Sequence, residues 1–263
     1  MFSHTRLFQL TTVLVALAAN ACAGHASRPA VSATAKLSCV GGVVETAVDA
    51  TLYGACERIN GDLRISSGEL SDLSALSGLR SVSGKLEISG NSQLDGLTGL
   101  ERLEQVGALS IHDNAELDDL SGLRSLQRAS TVTISHNAEL ASLRGLEGLT
   151  RVDALVIEHN GLYQSTGLSN LIEVGTLVVD GNAKLNSLQG LRSLSRAGSV
   201  EIRNNPRLCA RGLLPALARV EQNLTVTENR GLSRPDVHQL LGRIEHDTQA
   251  NADRAARLEA SLR

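Results

Sequence analysis

LSIHDNAELDDLSGLRSLQRAS (109–130) and VTISHNAELASLRGLEGLTRVD (132–153) are two copies of one unit set end to end. Leu109 and Ile111 form a two-period apolar pair, as Val132 and Ile134 do in the next copy. Such a pair describes a short strand with one buried face. Three residues after the Ile comes an Asn, and beyond it Leu117, Leu120, Leu123 and Leu126 fall at every third position. A period of three suits an extended or 3₁₀-like return path better than an α-helix.

The unit recurs in both directions. LEISGNSQLDGLTGLERLEQVG (86–107) precedes it, and the segments at 155–175, 177–198 and 200–220 follow. The Asn stands at Asn91, Asn114, Asn137, Asn160, Asn182, Asn205 and Asn229, at a spacing close to 23 residues. A weaker first copy (63–82) has Gly68 in the Asn position, and a last copy begins at Leu224. A fixed period of this size marks a solenoid. One coil cannot bury its own apolar edge, so coils must stack and the ends must be capped. The expected fold is an α/β-type solenoid, mainly β, with a single strand per coil, right-handed, about eight coils long and closed by a C-terminal helix. Its strands, about 4.8 Å apart, would span roughly 35–40 Å. The Asn amide is expected to bond the backbone of a tight turn, a place where Asn also tolerates left-handed geometry.

Composition agrees. Of 263 residues 42% are hydrophobic, yet there is no Trp, and after Phe8 only Tyr53 and Tyr163 are aromatic. The core must therefore be aliphatic. Sugars and single-stranded nucleic acids, usually held on aromatic faces, find little here. A net charge of −3 gives no footprint for duplex nucleic acid. Gly-x-Ser-x-Gly, a phosphate loop, His-Glu-x-x-His and a zinc Cys pair are all missing, so no enzyme class and no cofactor is implied.

The ends read differently. Residues 1–21 carry Arg6 and then LFQLTTVLVALAA, too short for a membrane span and fitted to a secretory signal. Ala19-Asn20-Ala21-Cys22 resembles a bacterial lipobox, which would make Cys22 the lipidated residue; cleavage at an ordinary Ala-x-Ala site is the alternative. Residues 22–36 are small and polar and suit a flexible tether. The chain is thus expected to be exported to the cell envelope and held on a membrane by the lipid, as an outer-membrane or cell-surface lipoprotein. Residues 37–62 form an N-terminal cap. In an exported chain Cys39 and Cys56, 17 apart, favour a disulfide over two buried thiols. Cys209, aligned with Ser142 and Ser187, is expected to be a small buried residue, with an intermolecular bond as the alternative. Residues 63–232 are the repeats and 233–263 the C-terminal helix and tail. There Ser233, Pro235 and Asp236 form a helix start, and Val237, Leu240, Leu241 and Ile244 an apolar stripe.

Cys56, Ile59, Gly61, Asp62, Leu63 and Ile65, the repeated Leu-x-Ile-x-x-Asn-x-x-Leu and the late Asn205, Leu208 and Cys209 together resemble the receptor L domain, over about residues 39–245. The resemblance implies a leucine-rich-repeat-like β-helix and a binding role. It transfers no ligand-binding residue.

Candidate sites follow from strand alternation. With Leu109 and Ile111 inward, two outward rows run along the stack. Thr133, Val156 and Val178 lie in one, and Ser135, Glu158 and Asp180 in the other. Val156 and Val178 would be adjacent apolar residues on an open face, the expected contact patch for a protein partner. Asp113, His136 and His159 share the position just before the Asn in three successive coils and form a weak candidate metal site. No recess is expected on so uniform a surface. Two functions remain: a non-catalytic binding or adhesion module, or a structural envelope protein without a specific ligand.

Overall fold

A computed structural model describes residues 37–210 and 213–244. The proposed signal, Cys22, the tether and the tail beyond 244 lie outside the described residues. The strands are β1 (Ser38–Val44), β2 (Arg58–Ile65), β3 (Ser81–Ser89), β4 (Gln105–His112), β5 (Thr131–Ser135), β6 (Arg151–Glu158), β7 (Glu173–Asp180), β8 (Arg196–Arg203), β9 (Arg219–Val220) and β10 (Leu224–Thr227). Helix α1 (Ala47–Tyr53) follows β1, and α2 (Arg234–Leu241) follows β10. All described strand pairs are parallel, and the sheet is built in sequence order from β1 to β8, with β9 and β10 both beside β8. The molecule is a mainly β solenoid of about eight turns.

The register matches equivalent positions. Leu86, Leu109, Val132, Leu155, Leu177, Val200 and Leu224 form one buried line, and Ile88, Ile111, Ile134, Ile157, Val179, Ile202 and Val226 a second. Most strands also extend further back than the Leu-x-Ile pair. Ile59, Val82 and Val106 pair in turn on an earlier rung of the same strands or their continuation, and Val152, Val174, Ala197 and Val220 do so beyond the coil that holds Ala129. Val106 therefore belongs to a strand and not to the return path.

The return path has the expected three-residue rhythm. Leu123 N–H donates to Leu120 O and Leu126 N–H to Leu123 O, both at 2.8 Å. Short 3₁₀ turns form at Ser74–Leu76, Ser121–Leu123 and Gln189–Leu191. Each turn aims its Leu into the core.

The Asn side chains are the polar spine. Asn137 Nδ2 donates to Ile111 O (3.1 Å), Ser135 O (3.0 Å) and Asn160 Oδ1 (3.1 Å). Its own Oδ1 accepts from Asn114 N–H and Nδ2, both at 3.2 Å. The pattern repeats with small changes from Asn91 to Asn229. The left-handed residue is not the Asn, as the sequence suggests, but the one before it. Gly90, Asp113, His136, His159, Gly181, Asn204 and Glu228 have φ between 53 and 67°. This kink turns the chain so that the following Asn points inward, where its amide makes three to five hydrogen bonds.

The caps differ in build. Cys39 and Cys56 form a disulfide, with Cα atoms 5.9 Å apart, tying β1 to the end of the α1 segment. Closing a loop of this size stabilises the fold by about 3 kcal/mol in the chain-entropy account. Thr46 and Asp49 make a capping box for α1, as Ser233 and Asp236 do for α2. Val237, Leu240 and Ile244 then bury against the last coil. Among the described residues no helix is long and apolar enough to cross a membrane.

Cys209 corrects an expectation. It is exposed, because its backbone N–H donates to Asn186 O (3.1 Å), as Asn186 N–H does to Tyr163 O (3.0 Å). It shares the outward position of Asn186 and Tyr163, one residue away from the alignment with Ser142 and Ser187. Its Sγ lies 3.1 Å from Asn186 O.

Candidate functional site

Strand pairing sets the outward rows. Thr133 is beside Val156 and Val156 beside Val178; Ser135 is beside Glu158 and Glu158 beside Asp180. Thr133, Val156, Val178, Ser135 and Glu158 are half-buried among their neighbours. Asp180 is different. It is buried, and its carboxylate is already taken by Arg203 Nε and Asn204 Nδ2, both at 2.8 Å. Asp180 is thus an internal anchor of the face and not an open contact. Its hydrogen bond and charge, with Glu201 adding to them, raise the Arg203 pKa above its usual value.

Ion pairs frame the middle of this face. Towards the N-terminal end Glu87 meets Lys85 Nζ (2.6 Å), Arg64 Nε (3.4 Å) and His112 Nε2 (3.7 Å). The hydrogen bond from Lys85, with the charges of Lys85 and Arg64, holds the Glu87 carboxyl below its usual range, against a partial desolvation. Towards the C-terminal end stand Asp180, Arg203 and Glu201. Between the two clusters the front row is uncharged: Ser110, Thr133, Val156 and Val178.

Asp113, His136 and His159 do not converge on a metal. The Asp113 carboxylate turns to His112 Nδ1 at 2.8 Å. The His136 and His159 rings stack with centroids 4.9 Å apart and planes 6° from parallel. Beyond them Gly181 leaves room for the His159 ring, whose Nε2 would sit 2.7 Å from a Cβ there. Stacked faces present the ring nitrogens side by side, with no third ligand. Among the described residues no group of three such side chains is placed to hold a metal ion.

The sequence gives no hint of the groove that the structure does contain. It is open, has a volume of about 850 Å³, and runs across the earlier rungs from β4 to β8. Its floor is backbone around Val106, Ala129, Val152, Val174 and Ala197. Because these point inward, the residues on either side of each point outward and form two walls. One wall carries Gln105, Arg128, Arg151, Glu173 and Arg196; the other carries Gly107, Ser130, Asp153, Gly175 and Gly198. The glycines keep the second wall low. They are required there by packing, since a Cβ on Gly175 would collide with Asp153 O, and one on Gly198 with Gly175 O. The surface is therefore not uniform: close backbone stacking along one row opens a trough.

Residues 55–146 match the family model of the receptor L domain. No curated protein matches the chain.

Proposed function

We propose, from the premise that this solenoid is receptor L-domain-like, that the chain is a non-catalytic binding module outside the cytoplasm that presents its strand face to a protein partner. The match over residues 55–146 supports a ligand-binding module. The disulfide between Cys39 and Cys56 fits an oxidising compartment. A signal at 1–21 and a lipid on Cys22 would deliver the module to the envelope and hold it there.

The observation that carries the reading is the uncharged window at Thr133, Val156 and Val178, set between two ion-pair clusters. An apolar centre with a charged rim is how protein interfaces are arranged. Glu158 and Ser135 flank the window and would contribute polar contacts.

A structural role in the envelope, without a specific ligand, has one observation of its own. Val40 on the edge strand β1 is 80% exposed, and Val48 and Leu52 on α1 are 70% and 73% exposed. Apolar residues at an open end suit contact between molecules.

The two readings separate in a pull-down from envelope extract. Val156→Arg with Val178→Arg is expected to cut recovery of the partner by about tenfold or more, as for loss of a central apolar contact, with the melting curve unchanged. Equal recovery by wild type and the double variant would overturn the window as the contact site.

A further inference from the structure

The geometry points to the groove as a binding site for an extended acidic peptide segment of a partner protein, its carboxylates held by Arg128 and Arg151. This deepens the binding-module reading, which supplies the protein partner, but it uses different residues.

Three guanidiniums face one carboxylate on the first wall. Arg151 Nη2 and Arg196 Nη2 each approach Glu173 Oε2 at 3.2 Å, so Glu173 is shared between them. Among the described residues Arg128 has a long contact with neutral Gln105 Oε1, at 3.4 Å, and no ion pair. Arg128 and Arg151 occupy the same position in consecutive coils, about 4.8 Å apart at strand spacing. Two neighbouring guanidiniums with one half-share of a carboxylate between them leave donors free for an oxyanion. Arg binds carboxylate in a planar two-pronged fashion, which gives such a pair direction as well as charge.

The shape selects the ligand. The trough crosses coils along the solenoid axis for roughly 20 Å, which about six extended residues span. Its low glycine wall gives a main chain room to lie against backbone. The lining holds no aromatic ring, which disfavours a sugar or a stacked base. Glu173 interrupts the positive row, and Asp153 and Glu221 stand on the opposite wall, so the free positive charge is confined to the Arg positions, where discrete carboxylates can sit.

Fluorescein-labelled hexaglutamate, titrated with the full chain and followed by anisotropy, tests this. At low salt it is expected to bind at least about tenfold more tightly than a neutral hexapeptide of Ser and Gly, and to weaken at about 0.5 M NaCl. Arg128→Ala with Arg151→Ala is expected to weaken binding by about tenfold. Arg124→Ala, on the exposed return path, is expected to leave it within about twofold. Thermal melts confirm that the variants fold. Equal affinity of the double Arg variant, no preference over the neutral peptide, or displacement by inorganic phosphate at equal charge would overturn the proposal. Val156→Arg with Val178→Arg should still bind hexaglutamate, so failure of the groove and failure of the strand-face window are read separately.

Discussion

Asn137→Ala is expected to lower the unfolding free energy by about 3–5 kcal/mol, the range for breaking a buried hydrogen-bond network. The side chain is fully buried and serves two neighbouring coils at once. Removing its amide takes the donors from Ile111 O, Ser135 O and Asn160 Oδ1, and the acceptor from the Asn114 backbone and side chain. Ile111 O and Asn114 N–H are backbone groups inside the solenoid. Left unpaired, each such group costs about 1–3 kcal/mol, and the Ala leaves a small void. Apolar replacement of equal size does not help, because the unpaired partners remain. Urea denaturation of wild type and variant measures the loss; a change below about 1 kcal/mol would mean that water reaches these groups and that the spine is not buried.

Gly145→Val is the second large effect. Gly145 has φ of 107°, a region that a β-branched residue scarcely enters. A Cβ would also collide with Leu120 O and lie 3.1 Å from Ser121 Cα, both in the preceding coil. Both are main-chain atoms, and shifting Leu120 O would strain the hydrogen bond it accepts from Leu123 N–H at 2.8 Å. The chain must separate two coils or distort both, and the expected cost exceeds about 4 kcal/mol. Gly96→Ala is the companion variant: nothing lies within 4 Å of a Cβ there. Its expected change is within about 0.5 kcal/mol. Comparable destabilisation by the two substitutions would refute the close stacking at Gly145.

These two effects mark what the sequence can show. The Leu-x-Ile pair, the Asn period and the three-residue Leu rhythm depend on one coil and its repetition, so residues 86–220 reveal the solenoid without coordinates. The capping box at Ser233 and Asp236 is likewise local. What the sequence hides depends on how coils meet. The left-handed kink falls on Asp113, His136 and His159, which look like ligands because they recur; they recur because each coil turns there. Cys209 is misplaced by one residue although the register is legible: it stands four residues after Asn205, as Asn186 does after Asn182, whereas Ser142 and Ser187 stand five after their Asn, and the bond to Asn186 O agrees with that count. The groove arises where Gly107, Gly175 and Gly198 keep one row low beside a row of Arg. Each glycine alone reads as a turn, and only their alignment across coils makes a trough. Asp180 illustrates the reverse: its place in the outward row is legible, but its burial comes from Arg203 and Asn204 one coil away.

Side-chain amide NMR on uniformly labelled protein tests the central claim most directly, since a stacked parallel solenoid must bring Asn residues about one repeat apart into contact. Slow exchange of the Nδ2 protons of Asn114, Asn137, Asn182 and Asn205, with cross-peaks linking each to its neighbour in the adjacent coil, is the result expected. Free exchange of those protons, or cross-peaks confined to residues near in sequence, would contradict it.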